Sequence, residues 1–281
     1  MTKAHIADGY AQAVICNSGN ANTCNFDGIE IAEKTCQIVA DRMGISAEDV
    51  IVGSTGVIGQ RLSIKPIEEG MDTLASGLSK EGSYAAAEGI MTTDTVHKEV
   101  AVEVELGGVR VTIGGMSKGS GMIHPNMATM LGFITSDAAI TPEMLKKALS
   151  SCIDDSFNMI SVDGDTSTND MVAVMANGMA GNEMISSEGE AFDTFRNALF
   201  EVCRYLARKM AADGEGASKL IECVVSNAAD RKTAVTVSKS IICSNLLKCA
   251  VFGADANWGR VLCAIGYSGA DVDIHKIDVR F

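Results

Sequence analysis

The stretch Lys118–Thr129 (KGSGMIHPNMAT) constrains this chain more than any other. It follows a strand-like run, Val109–Ile113 (VRVTI), and is approached through Gly114, Gly115, Gly119 and Gly121. It holds Pro125, one of three prolines, and His124, one of four histidines. At Ala128-Thr129 the loop gives way at once to an apolar run, MLGFI. One reading is a glycine-rich turn that feeds a strand. The other is chemical. A hydroxyl that follows a small residue at the start of a buried segment can attack the preceding carbonyl. Thr129 would then take the acyl group of Ala128 from nitrogen to oxygen. Hydrolysis of that ester leaves Thr129 with a free α-amine, whose reference pKa of about 7.7–8.0 keeps a good fraction unprotonated at neutral pH. Such an amine can take the proton of its own hydroxyl and so activate a weak nucleophile. Local composition leaves both readings open.

The totals narrow the setting. The chain has 281 residues, enough for one large domain or two with a sizeable core. Apolar residues make up 47% and charged residues 21%, as in an ordinary globular protein. A net charge of -13 argues against binding nucleic acid or an anionic membrane. No apolar run has the length of a membrane span, and MTKAHIADGY does not read as a signal peptide. The nine cysteines contain no CxxC pair, and Cys and His lack metal-ligand spacing. Reduced thiols in a cytoplasmic protein are expected. Cys24, beside the NSGNAN loop, is the one cysteine near a motif.

The chain alternates helical and extended patterns. Strands are expected at 11–16, 50–52, 99–105, 109–113, 159–162, 171–175, 220–225, 248–252 and 271–279. Gly107-Gly108 predicts a hairpin between the third and fourth of these. Helices are expected over 29–43, stopped by Gly44, from Pro66, over 84–91, from Thr141-Pro142, over 189–212, over 233–247 and after Trp258. No linker, repeat or low-complexity segment interrupts the chain. A hairpin among mixed elements excludes a purely parallel sheet, so the expected fold class is layered α/β or α+β.

Two further stretches suit chemistry. Ser54-Thr55-Gly56 follows a strand, where a hydroxyl and a glycine N–H can be preorganised as oxyanion donors, or where glycine simply makes a turn. Asp163 and Asp165, in DGDTSTND, match the DxD pattern of haloacid-dehalogenase-like phosphatases, a rival from another class. Ser167 stands where Thr or Val is usual there, and no downstream Lys and paired-Asp set is visible. His124 reads as a structural histidine, and Trp258 and Arg260 as packing and ion-pair residues.

KGSGMIHPNMATML closely resembles the cleavage-site signature of the ornithine acetyltransferases, the bifunctional glutamate N-acetyltransferase family of arginine biosynthesis. NSGNAN (17–22), STGVIG (54–59), MTTDT (91–95), SVDGDTSTND (161–170), GEGASK (214–219) and GADANWGR (253–260) match in family order along nearly the whole chain. The resemblance implies stacked sheets between helical layers, similar to N-terminal-nucleophile enzymes, in residues 1–213, and a smaller C-terminal α/β domain from 214 to 281. It implies cleavage between Ala128 and Thr129, with Thr129 as nucleophile and Thr55 and Gly56 as oxyanion donors. Thr92, Lys118, Thr129 and Glu215 would contact substrate, Thr92 being preferred over Thr93. The substrates would be N-acetylornithine and glutamate. No metal or cofactor is implied, and acetyl-CoA would enter only as co-substrate of a bifunctional member. The family also suggests a homo-oligomer of cleaved pairs. A related aminopeptidase and a non-catalytic, cyclase-like binding relative are the remaining alternatives. The resemblance begins inside the family pattern and ends before its terminal Asn and Thr or Ser, as expected of a fragment or a reduced form.

Overall fold

The computed structural model describes residues 1–124 and 130–281. After a short helix α1 (Thr2–His5), strand β1 (Ala13–Asn17) runs parallel to β2 (Val50–Ser54), and helix α2 (Gly28–Met43) connects them. Helix α2 stops where expected. Gly44 adopts a left-handed φ of 69°, and its N–H donates to the Ala40 carbonyl. Helix α3 (Lys65–Ser76) has Pro66 in its first turn, where the missing N–H costs nothing. Cys36, Val39, Val50 and Met71 close a small core between these helices and the two strands.

A second sheet follows helix α4 (Ser83–Gly89). Strands β3 (Lys98–Leu106) and β4 (Val109–Lys118) form the expected hairpin, with Gly107 and Gly108 both at positive φ. Strand β5 (Leu131–Ser136) pairs antiparallel with β4, and β6 (Met171–Ala176) pairs parallel with β5. The order is therefore β3-β4-β5-β6. Strand β4 outruns the expected end at Ile113 and continues through Gly114-Gly115 to Lys118. The glycines extend the strand because bare backbone is what fits: a Cβ on Gly115 would lie 2.9 Å from Val202.

Alternation places the two faces. Val111, Ile113, Gly115, Ile134 and Val174 face helices α5 (Pro142–Asp154) and α6 (Glu190–Ala212). Phe195, Leu199, Val202, Leu206 and Met210 form the buried stripe of α6. Each such burial is worth about 1.5–3 kcal/mol. The opposite face meets the β1–β2 sheet: a Cβ on Gly53 would sit 3.0 Å from Met171 and 3.5 Å from Phe133. The molecule is a mixed α/β protein with two sheets stacked between helices.

Beyond residue 213 the sequence reading needs correction. The described residues there form helices α7 (Arg231–Ile242), α8 (Asn245–Phe252) and α9 (Trp258–Gly266), with no strand. The strand expected at 248–252 is helical, because Ser244 caps a new helix by accepting from the Leu247 N–H. The same cap divides the single helix expected over 233–247. Residues 220–225 and 271–279 are extended or turning but unpaired. Cys223, Val225, Val272, Ile277 and Val279 still pack on the Val237, Ile241, Leu247 and Val261 cluster. Their alternation records one-sided burial without ladder hydrogen bonds. Residues 159–162 are likewise no strand: Phe157–Met159 is a 3₁₀ turn, and Val162 makes one backbone bond to the Ile123 carbonyl.

Candidate functional site

The proposed oxyanion stretch begins where β2 ends. Thr55 is buried, and its N–H donates to the Asn17 carbonyl at 2.8 Å. Gly56 has a φ of 122°, and a Cβ there would meet the Gly19 carbonyl at 2.5 Å, so only glycine fits. The NSGNAN loop holds this turn from beside it. Asn17 bonds the Asn20 carbonyl and the Gly19 N–H, and Asn20 bonds the Gln60 carbonyl. The Thr55 hydroxyl and the Gly56 N–H make no hydrogen bond among the described residues. Two adjacent donors are thus left uncommitted among the described residues, on a turn held by the Thr55 N–H and the NSGNAN loop.

Ala128 and Thr129, the expected cleavage pair, lie outside the described residues. Their flanks are described. On one side Asp163 accepts from the N–H groups of Met122 (2.5 Å) and Ile123 (3.0 Å). Its carboxylate is a loop anchor, which removes it from the role the phosphatase reading requires. Among the described residues no group of three or more His, Cys, Asp or Glu could hold a metal ion. The His124 ring bonds Ser161 at 3.1 Å, and burial, with Lys239 and Lys248 nearby, lowers its pKa. On the other side the Met130 N–H donates to Asp170 at 2.7 Å, and β5 begins at Leu131.

Lys118 ends β4, paired in register with Leu131, and its side chain lies on the face toward β1. It is 2% exposed, and its ammonium makes no hydrogen bond or ion pair among the described residues. Burial pushes its pKa down. Asp94, Cys16 and Glu215 pull it back up, while Lys98 adds to the depression. Burial in turn pushes the Cys16 thiol up to about 12, so this cysteine stays neutral.

Glu215 follows the end of α6. Its N–H donates to the Ser120 carbonyl at 2.8 Å, and its carboxylate accepts from the Thr93 hydroxyl at 2.5 Å. The carboxylate lies close against Gly121, 2.4 Å from where a Cβ would stand, so a side chain there would make Glu215 shift. Thr93 also bonds Ser120 at 2.8 Å. The Thr92 N–H donates to Asp94, while its hydroxyl makes no bond among the described residues. The structure therefore brings the Gly119–Met122 approach, Thr92-Thr93 and Glu215 together, with Lys118 and the Ser54–Gly56 turn on the adjoining face of the sheet.

Several residues without a role in the sequence reading hold these parts. The Lys98 ammonium is completely buried and bonds Asp94 at 2.7 Å and Asp213 at 2.6 Å. Asp94 also accepts from the Gly119 N–H at 2.6 Å, and Asp213 from Thr95. One ion cluster thus ties the MTTDT loop, the glycine-rich approach and the end of α6. Burial acts to raise the Asp94 and Asp213 carboxyls, but Lys98 and the donated N–H groups hold both below the usual carboxylate range. The visible signal was Asp94 four residues before Lys98, which is easily taken for a solvated pair. Asn169 and Asp170 also belong to the site, and their signal was their place just before a strand in the DGDTSTND stretch.

A model of the ArgJ family matches residues 1–281. An arginine biosynthesis bifunctional protein ArgJ from Symbiobacterium thermophilum is 51% identical over 99% of this chain and 70% of its own length. One from Caldanaerobacter subterraneus subsp. tengcongensis is 52% identical over 96% of this chain and 68% of its own. A crystal structure of an ArgJ protein from Bacillus halodurans shares 52% identity, covering 50% of this chain and 65% of that one with a TM-score of 0.48. With the family model spanning every residue and relatives at half identity across nearly all of it, the chain belongs to the ArgJ family.

Proposed function

We propose that this chain is an acetyltransferase of arginine biosynthesis that moves an acetyl group from N-acetylornithine to glutamate through an ester on Thr129. Family membership supports the reaction class. The observation that carries the site is the pair of adjacent donors, Thr55 hydroxyl and Gly56 N–H, uncommitted among the described residues on a turn whose backbone is held by Asn17 and Gly19. In the first half-reaction the Thr129 hydroxyl attacks the acetyl carbonyl and its proton passes to the α-amine. Charge develops on the carbonyl oxygen, which the two donors receive, and the C–N bond breaks as the α-ammonium passes the proton to the nitrogen of departing ornithine. In the second, the amine of glutamate attacks the ester and restores the hydroxyl, so kinetics are ping-pong. Lys118 offers a buried cation to a substrate carboxylate, and Glu215 an anion to a substrate ammonium. Thr92 offers a hydroxyl beside them. The cycle uses no metal or bound cofactor, and acetyl-CoA would be a donor only if this chain is bifunctional.

Residues 1–213 and 214–281 are proposed as two domains, supported by their separate apolar clusters. Assembly of cleaved pairs into a homo-oligomer and a cytoplasmic location belong to the same reading. Product analysis tests it. Labelled N-acetylornithine should yield labelled acetylglutamate when glutamate is present and only slow acetate when it is absent. Equal acetate release in both cases would make the protein a hydrolase. Thr55→Ala should lower turnover by about 10²–10³-fold with a smaller change in KM.

A further inference from the structure

Two adjacent side chains reach from one segment to both halves of the site. Asn169 Nδ2 donates to the Ser54 carbonyl at 3.0 Å, at the base of the oxyanion turn. Asp170 Oδ1 accepts from the Met130 N–H at 2.7 Å, the nitrogen that joins residue 129 to β5. The next residue, Met171, starts β6, donates its N–H to the Met130 carbonyl at 3.0 Å and pairs with Leu131. The dipeptide is thus fixed to the sheet on one side, and each of its side chains holds backbone from a different part of the chain.

We propose that Asn169 and Asp170 are positioning residues for the acetyl-transfer reaction, Asn169 holding Ser54 at the base of the oxyanion turn and Asp170 holding the Met130 amide at the start of β5. This rests on the reading given under Proposed function. Oxyanion donors work only when they lie about 2.7–3.1 Å from the developing charge, so a shift of either half by a fraction of an ångström matters.

The choice of an acid for one of these positions is costly. Asp170 lines a small cavity with Met130, Ile153, Phe157 and Val172, and its Oδ2 is buried without a partner among the described residues. Burial raises its pKa to about 7, against the lowering effects of the Met130 N–H and of Lys118 on β4. Lys118 in turn faces Asp94, Lys98, Cys16 and Glu215. Asn158, whose Oδ1 also has no partner among the described residues, lines the same cavity. Neutral or ionised, the carboxyl keeps an oxygen for the Met130 N–H, so an amide at this position can replace it.

The test uses the whole chain and its acetyl-transfer assay. Asn169→Ala and Asp170→Ala should each lower kcat about 10-fold or more with KM changed less than 3-fold. Asp170→Asn, which keeps the acceptor, should recover most of that loss. Asn169→Ala should cost little when added to Thr55→Ala, because both then act on one lost interaction. Independent, multiplying losses would overturn the role of Asn169. Failure of Asp170→Asn to recover would overturn that of Asp170. Should an alanine variant not fold, Asn169→Asp keeps the size and removes the donor. A folded Asn169→Asp with wild-type kcat would also contradict the proposal. Wild-type protein that transfers no acetyl group would instead sink the underlying reading, so the two failures are distinct.

Discussion

Two lysines are buried at the same end of the four-stranded sheet, and they differ in their hydrogen-bonding partners. Lys98 opens β3 and is paired in register with Ser117, while Lys118 is the next residue along β4. That single step along a strand sends the two side chains to opposite faces. On the helical face Lys98 meets two carboxylates, Asp94 and Asp213, and the Val96 carbonyl. On the face toward β1 Lys118 meets no hydrogen-bonding partner among the described residues. A buried charge that is satisfied within the fold serves the fold. A buried charge left without a bond is costly to keep, and a substrate carboxylate is the partner that would justify it.

Substitution should separate the two most sharply at Lys98. Lys98→Met strands Asp94 and Asp213 without their cation, and breaking such a buried set costs about 3–5 kcal/mol. Denaturant unfolding should show that loss, with activity falling because the Gly119 approach and Glu215 lose their tie. Equal stability of variant and wild type would dissolve the distinction. Lys118→Met should do the reverse. Its melting temperature should hold or rise, since burial lowers the folded pKa and the unfolded chain binds the proton more tightly, a cost removed with the ammonium. Its kcat/KM should fall about 10–100-fold, the worth of a hydrogen bond to a charged group of about 1.5–3 kcal/mol. A smaller effect comes from acid. Asp94 and Asp213 have folded pKa values below their unfolded ones. Their stabilisation is therefore complete above about pH 4 and is lost as pH falls through the lower folded values. Melting curves from pH 6 down to pH 3 should show this fall, and Lys98→Met should show less of it.

The sequence made half of this visible. The hairpin, the caps at Gly44 and Thr141, and the long helix α6 were legible because each depends on local chemistry. The site motifs were read as a resemblance that preferred Thr92, whereas the hydroxyl that bonds Glu215 in the structure is that of Thr93. The strands expected after residue 213 were not legible, because alternation reports which side of a segment is buried and not whether a partner strand pairs with it. The supporting residues were hidden for a related reason. Asp213 reaches Thr95 across the fold, and Asn169 reaches Ser54, separations that no local pattern records. Lys98 and Lys118 look alike in sequence, and only the sheet register tells them apart.

The covalent state of Thr129 tests the central claim most directly. Protein incubated with N-acetylornithine and no glutamate, then acid-quenched and digested, should yield a peptide that begins at Thr129 and is heavier by one acetyl group. Glutamate added before the quench should discharge it and give acetylglutamate in equal amount. Acetylglutamate formed while the peptide stays unmodified, or a chain left whole across residues 128 and 129 yet fully active, would contradict it.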